Sequence, residues 1–475
     1  MDFVKKIFFK YIPITFIISI FFVLFVYFFD LAAYDSSYIN KPSITFSENN
    51  LNSKKSKKLF KLYEDLYLNI TSKIFTKHKE YWKTEDYQER LNLPKFKTIP
   101  KKEDNFIIGQ SLDEIEKNFS NWPRSHGGFS SSRFSSLKLI NKNNINKLKH
   151  AWTYNSKDGE KGIQANPVVF DGKIYIPTPG NSIVCLDGSN GKVIWKRKIE
   201  RGAHVAKRGL LIWENKKNNV SRLFFTNDDQ LIALNAKTGE LIKKFGENGI
   251  IKIGSSPTTP VIIDNSLIVG TFRPAIEAYD VETGTLKWKF YLRELEKNIF
   301  GKKDFRGGNP WGGISADLKR GLIFLTTGNP WPKNYGTLRP GNNLLANSVI
   351  AFDIREKKKL WHFQETCHDL WNFDISAPPI LTTINKYDKR IDVVVVPTKL
   401  GNTLILDRYT GQPIFDYRKM LAPASKIPGE KTAYYQPNLK IPEPFSKQIF
   451  DMSEITNISS KSRNYINQKI KYTGS

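Results

Sequence analysis

Ile276-Glu277-Ala278-Tyr279-Asp280-Val281-Glu282-Thr283-Gly284-Thr285-Leu286-Lys287-Trp288 is the stretch whose reading decides the fold. An apolar run ends on an acid, a Thr-Gly turn follows, and a tryptophan stands eight positions after the acid. Strand-like residues on either side of a glycine-containing turn form a β-hairpin. The pattern recurs from Val184-Cys185-Leu186-Asp187 to Trp195, from Val349-Ile350-Ala351-Phe352-Asp353 to Trp361, and from Leu404-Ile405-Leu406-Asp407 to Phe415. A weaker copy, Ile232-Ala233-Leu234-Asn235 with Thr238-Gly239, ends in Phe245.

Ahead of each hairpin lies another pair of strand-like runs, such as Pro167-Val168-Val169-Phe170-Asp171-Gly172-Lys173-Ile174-Tyr175-Ile176. Four short strands per repeat, at intervals of roughly 45 to 75 residues, predict an all-β propeller and not a sandwich. A repeat of this kind cannot bury its sheet alone. The recurring tryptophan is expected to fill the gap to the neighbouring blade, as glue and not as chemistry.

Composition agrees with a globular chain: 475 residues, 40% apolar and 13% aromatic. Cys185 and Cys367 are too few for a disulfide framework and lack metal-ligand spacing; a single bridge and two inert thiols are both open. The formal charge of +27 would suit nucleic acid, but the lysines are scattered among Asn and Ile with no basic helix or stacking module, so no nucleic-acid partner is expected.

Residues 11–29 carry no charge and follow Lys5, Lys6 and Lys10. That length spans a bilayer, and the lysines place the N-terminus in the cytoplasm, so the remainder is exported. The expectation is an N-terminal transmembrane helix within residues 1–33 that anchors the chain to the inner membrane with its main domain in the periplasm; cleavage after Leu31-Ala32-Ala33 is the alternative. Residues 34–118 read as a basic linker with one amphipathic helical patch, Leu59, Tyr63, Leu66, Ile70 and Ile74. The propeller occupies 119–475.

The densest chemistry lies at His368-Asp369-Leu370-Trp371-Asn372-Phe373-Asp374, followed by Pro378-Pro379. An imidazole, two carboxylates and an amide stand beside two aromatic rings. Alone, the stretch reads equally well as an ordinary inter-strand turn.

Several segments together resemble the quinoprotein dehydrogenases that use pyrroloquinoline quinone, in both the methanol/alcohol and the membrane-bound glucose branches. They are Trp122-Pro123 with Arg133-Phe134-Ser135, Ile163-Gln164-Ala165-Asn166-Pro167, Arg208-Gly209, Trp311, Thr327-Gly328-Asn329-Pro330, Arg339-Pro340-Gly341, His368 to Asp374, and Lys399-Leu400-Gly401-Asn402. The resemblance covers about residues 120 to 450 and implies an eight-bladed propeller with the cofactor near its axis. It implies that the quinone stacks on Trp311, that Arg208 and Lys399 hold its carboxylates and polarise its carbonyl oxygens, and that Gln164 hydrogen-bonds to it where the family often has a carboxylate. It further implies that Asn329 ligates calcium and that His204 lies in the pocket.

Two departures stand out. The family's general base is the Asp after Trp in His-Asp-Leu-Trp-Asp, and here that residue is Asn372, which can coordinate a metal but cannot accept a proton. Asp374, on an extended segment, would point to the same side and supply the missing carboxylate, making Asn329, Asn372 and Asp374 the expected calcium set. The chain also stops at Lys471-Tyr472-Thr473-Gly474-Ser475, where family members continue, so C-terminal blades are expected to be missing.

The resemblance thus implies a membrane-tethered periplasmic dehydrogenase acting on a sugar or alcohol hydroxyl, with Asn372, Asp374, Lys399 and His204 around the reacting atoms. Without a haem-attachment Cys-x-x-Cys-His, electrons pass to a separate ubiquinone or cytochrome. The rival expectation is a non-catalytic exported propeller, a scaffold or outer-membrane assembly factor.

Overall fold

The computed structural model describes residues 84–103, 121–202, 205–215, 220–292, 306–337, 339–386 and 388–473. The uncharged run 11–29 and the periodic patch from Leu59 to Ile74 lie outside them. Among the described residues no helix is long and apolar enough to cross a membrane.

Each sequence repeat folds as an antiparallel meander. The first blade comprises Val168–Phe170, Lys173–Pro177, Ser182–Asp187 and Val193–Lys198; the second, Leu211–Asn215, Val220–Asn227, Gln230–Asn235 and Ile250–Lys252. The third comprises Val261–Ile263, Ser266–Thr271, Ala275–Asp280 and Leu286–Tyr291; the fourth, Ile314–Asp317, Leu322–Thr326, Ser348–Asp353 and Lys358–Gln364. A fifth has three strands, Ile380–Lys386, Lys389–Pro397 and Thr403–Asp407. In the second, third and fourth blades the second and third strands are buried almost throughout, whereas outer strands such as Leu286–Tyr291 turn alternate residues to solvent. Both faces of those inner strands are covered, which is why they read as continuous apolar runs.

The acid or amide that ends each third strand serves the turn. Asp187 Oδ1 accepts from the Ser189 N–H at 2.8 Å, Asp280 Oδ1 from Thr283 at 2.9 Å, Asp407 Oδ1 from Thr410 at 2.8 Å, and Asn235 Oδ1 from Lys237 at 2.8 Å. Such Asx turns satisfy backbone donors that the hairpin leaves over. Cys185 then faces Trp195 across the hairpin, Ala278 faces Trp288, and Ala351 faces Trp361, with a bulge at the next position in all three blades.

The tryptophans join blade to blade. Trp195 Nε1 donates to Ala236 O of the second blade at 3.0 Å, Trp361 Nε1 to Arg408 O of the fifth at 3.1 Å, and Trp152, ahead of the first blade, to Gly188 O at 3.2 Å. The turn glycine of the receiving blade lies flat on each indole: a Cβ on Gly239, Gly411 or Gly191 would stand 2.6, 2.5 or 2.4 Å from the ring. Their φ values of +75°, +70° and +72° are also those glycine adopts without strain. In the weaker copy Phe245 is fully buried and takes the turn glycine Gly284 against its ring.

The segment 122–131 touches the innermost strand of one blade after another. Trp122 bridges Val169, Pro123 O accepts from Ile212 N at 2.8 Å, Phe129 O from Ala316 N at 2.8 Å, and Ser130 O from Leu381 N at 2.9 Å. The Arg124 side chain, 1% exposed, donates to Pro260 O at 2.9 Å and Ile314 O at 2.7 Å, tying in the third and fourth blades. Burial lowers this guanidinium to about 9, and no carboxylate offsets that cost.

One boundary needs correction. Residues 84–103 fall in the stretch read as linker, yet Phe96–Ile99 pairs with Tyr417–Leu421, which in turn pairs with Tyr435–Pro437. Arg90, 1% exposed, donates to Ala422 O at 2.8 Å and pairs with Glu85 at 2.8 Å, while Lys102 pairs with Asp407 at 2.9 Å. Partners more than 300 residues away leave no local periodicity to read. Cys185 and Cys367 are both free thiols.

Candidate active site

The stretch His368 to Asp374 divides into residues that shape it and residues that it presents. His368 and Asn372 have φ of +47° and +64°, so the backbone turns through left-handed positions and is not the extended segment expected. Asn tolerates such φ better than most residues. Asp369 holds the turn: its carboxylate accepts from Trp371 N at 2.8 Å, Phe373 N at 2.7 Å and Asn347 Nδ2 at 3.0 Å. Asn372 and Asp374 still approach one side chain, Asn329, but the Asp369 turn brings them there and strand alternation does not.

Asp374, 5% exposed, is the centre of the constellation. Oδ1 accepts from Trp311 Nε1 at 3.0 Å and from the Asn329 backbone N–H at 3.0 Å; Oδ2 pairs with Lys399 Nζ at 2.9 Å. Lys399 Nζ also donates to Asn372 O at 3.1 Å. The carboxamide of Asn329 lies 2.7 and 3.2 Å from the two Asp374 oxygens and 3.1 Å from the Asn372 carboxamide. Gly328 makes the approach possible, because a Cβ there would stand 2.5 Å from Trp311 Nε1 and 2.6 Å from Asp374 Oδ1.

The outer face of Trp311 carries cations. Arg208 Cζ lies 4.7 Å above the ring and Lys399 Nζ 5.9 Å from its centroid. Cation–π attraction of this kind contributes about 0.5–2 kcal/mol, depending on how dry the site is. Gly209, at φ +125°, lets the Arg208 loop meet Ser125 of the axial segment, where a Cβ would clash at 2.3 Å. Arg208 Nε is buried without a hydrogen-bond partner. The axial segment adds His126, whose imidazole is driven down to about 3 by burial and then by Arg124, Arg133 and Arg208. It stays neutral there, and its Nδ1 lies 3.4 Å from Asn166 Nδ2. The result is a cluster of positive charge beside a flat aromatic ring.

Of the residues expected from the sequence, the structure brings together Arg208, Trp311, Asn329, Asn372, Asp374 and Lys399. Gln164 is exposed and makes no hydrogen bond among the described residues; Asn166, two positions on, reaches the axial segment instead, its Nδ2 donating to Ser125 O at 2.8 Å. His204 lies outside the described residues. Arg124 and His126 were missed, because a lone Arg and a lone His in a Ser/Gly-rich run carry no spacing signal.

The family model for the glucose/ethanol/alcohol dehydrogenase β-propeller domain, a pyrroloquinoline-quinone family, matches residues 122–475. Quinoprotein glucose dehydrogenase A of Acinetobacter calcoaceticus is 29% identical over 369 residues, 66% of this chain and 46% of that protein. Methanol dehydrogenase [cytochrome c] subunit 1 of Methylorubrum extorquens is 28% identical over 376 residues, covering 70% of this chain and 58% of the relative. The chain spans about half the length of the curated relatives it matches. Among solved structures, quinohemoprotein alcohol dehydrogenase from Comamonas testosteroni superposes with a TM-score of 0.55 at 24% identity, over 69% of this chain and 53% of that one. That likeness shows the fold.

Proposed function

The chain belongs to the pyrroloquinoline-quinone-dependent glucose/ethanol/alcohol dehydrogenase β-propeller family, and on that premise we propose that it is an exported dehydrogenase oxidising a hydroxyl of a sugar or alcohol. The observation that carries this reading is the convergence of Trp311, Asn329 and Lys399 on the Asp374 carboxylate, with Arg208 over the same indole. A scaffold needs its blade tryptophans but has no use for that arrangement.

The residues present suit the family's cofactors. The Trp311 ring beside Arg208 and Lys399 fits a planar, multiply anionic quinone, and Arg208 Nε is a buried donor without an acceptor among the described residues. Arg gives two-pronged recognition of carboxylate, whereas Lys acts as a point charge. A calcium-type cation is served by oxygen donors only: Asp374 with the carboxamides of Asn329 and Asn372. Turned one way, the Asn329 carboxamide donates to Asp374; turned the other, its oxygen joins Asp374 in facing a cation. Among the described residues no cluster of three or more His, Cys, Asp or Glu offers a richer set.

When bound, the quinone supplies a two-electron hydride acceptor and the cation a Lewis acid. The chain's part is to bind, orient and take a proton. Trp311 and the Asn329 N–H fix the Asp374 carboxylate plane through Oδ1, leaving Oδ2 toward the exposed Lys399. Oδ2 accepts the substrate hydroxyl proton as Lys399 swings to the ligand; Asn372 hydrogen-bonds but cannot replace it. Support for tethering at the inner membrane, with the propeller in the periplasm, comes from the uncharged run 11–29 and its lysines. The electron acceptor is ubiquinone or a cytochrome, partners of the kinds that the names of relatives carry. The full blade count is eight in this reading.

The test is a titration of the full chain with pyrroloquinoline quinone and calcium, read by quenching of tryptophan fluorescence and by reduction of an artificial acceptor with glucose and simple alcohols. Saturable quenching that Trp311→Ala removes, with turnover on one of these substrates, is the expected result. Quenching without turnover on any hydroxyl substrate would favour the scaffold.

A further inference from the structure

His368 is 1% exposed, and both of its ring nitrogens face acceptors: Nδ1 lies 2.7 Å from Gly341 O and Nε2 lies 2.7 Å from Glu430 Oε1. A carbonyl oxygen can only accept, so Nδ1 carries the proton toward Gly341 O, and the second contact is a hydrogen bond between Nε2 and the Glu430 carboxyl. Glu430, also 1% exposed, has its second oxygen bound by the Gly336 N–H at 2.7 Å. His368, that backbone N–H and Arg339 hold its carboxyl below the usual range against the opposing pull of burial. Gly336 is without alternative at this spot, since a Cβ would stand 2.2 Å from His368 Nε2 and 2.4 Å from Glu430 Oε1.

The pair sits where the active-site stretch begins. Immediately after His368, Asp369 folds the turn that delivers Asp374, and Arg339 donates to Asp369 O. Among the described residues, Arg339 is the other charged group acting on Glu430, and Asp369 in turn faces Arg339. On the far side, Glu430 belongs to a loop held by the N-terminal segment: Glu85 accepts from Thr432 N at 2.8 Å and from Ser425 N at 2.7 Å. Hydrogen bonds thus run from residue 85 through loop 425–432 and His368 to the turn before Asp374.

We propose that Glu430 is a positioning residue of the active site, holding the buried His368 ring in place and so setting where Asp374 meets Trp311 and Lys399. This rests on the function proposed above for the importance of Asp374, not for the pair itself. The general reason is that partners behind a ligating or reacting side chain fix its orientation.

The test uses the full chain labelled with 15N-histidine and 15N-tryptophan. In the native chain both His368 ring nitrogens should show the 15N shifts of hydrogen-bonded sites. In Glu430→Gln the His368 Nε2 shift should move and the Trp311 Nε1–H resonance, assigned through Trp311→Phe, should move toward that of free indole; Glu430→Asp should restore both in part. Quinone affinity of Glu430→Gln should fall by roughly 10–100-fold, the usual cost of losing such a partner. A His368 Nε2 with the shift of a nitrogen free of any hydrogen bond in the native chain would overturn the proposal, even if Glu430→Gln did not fold. So would a Trp311 resonance indifferent to Glu430→Gln. Failure of the native chain to bind quinone would instead remove the proposed function, with the Trp311 resonance still deciding the role of Glu430.

Discussion

Trp361 and Trp311 are the same residue put to opposite uses. Trp361 is 8% exposed, donates to a backbone carbonyl of the next blade, and has a turn glycine pressed on its face. Trp311 donates to a carboxylate and has a guanidinium over its face. A face covered by glycine backbone is closed to ligands, whereas a ring flanked by a guanidinium can receive a flat anion beside it. What lies on the ring, more than how deeply the ring is buried, separates glue from platform.

The largest effect expected is at the partner of Trp311. Asp374→Asn should lower turnover by about 10²–10⁴-fold, the usual contribution of a positioned base, as read in the quinone-loaded assay. Unaltered turnover would make the Trp311–Asp374 contact a dock like any other.

Truncating the two indoles should then give mirror-image results. Trp361→Ala should cost about 3–5 kcal/mol in urea unfolding, because it empties a sealed blade junction, while quinone affinity of the folded chain stays the same. Trp311→Ala should weaken quinone binding and change stability by about 1 kcal/mol or less, as at sites away from sealed packing. Equal stability losses in the two variants would erase the distinction.

Glu365 offers a finer contrast, being sealed like the glue yet close to the site. Its Oε1 accepts from Thr398 Oγ1 and Asn402 Nδ2, both at 2.9 Å, and Oε2 is buried without a partner. Burial raises its carboxyl to about 7 from 4.5. The folded state therefore keeps this proton to higher pH than the unfolded chain, and the associated stability is present below about pH 4.5 and lost as pH rises through about 7. Glu365→Gln cannot ionise, so it should match the native chain near pH 4 and exceed it by about 2–3 kcal/mol near pH 8. Parallel pH profiles would show that Oε2 finds a proton donor or solvent.

Much of the site was legible because its members stand in short, ordered pieces. Arg208-Gly209 and Gly328-Asn329 each carry a reactive side chain and its permissive glycine side by side in the chain, and Asp374 closes the compact run that begins at His368. The axial segment was not legible, because residues 122–131 bond to blade edges as distant as Leu381 and have no period of their own. Same-side placement of Asn372 and Asp374 was expected from an extended backbone and arises from the left-handed turn that Asp369 stabilises.

The sequence by itself determined the blade: an apolar run, an Asx turn, a glycine and an aromatic at fixed spacing suffice, because hairpin geometry depends on residues within about a dozen positions of one another. The tertiary structure alone decided that His126 joins Arg208, that Phe96–Ile99 pairs with Tyr417–Leu421, and that Glu430 reaches His368. Those contacts close long loops, and loop closure costs entropy that grows only slowly with length, so distant partners are chosen by packing and charge and leave no periodic trace in the chain.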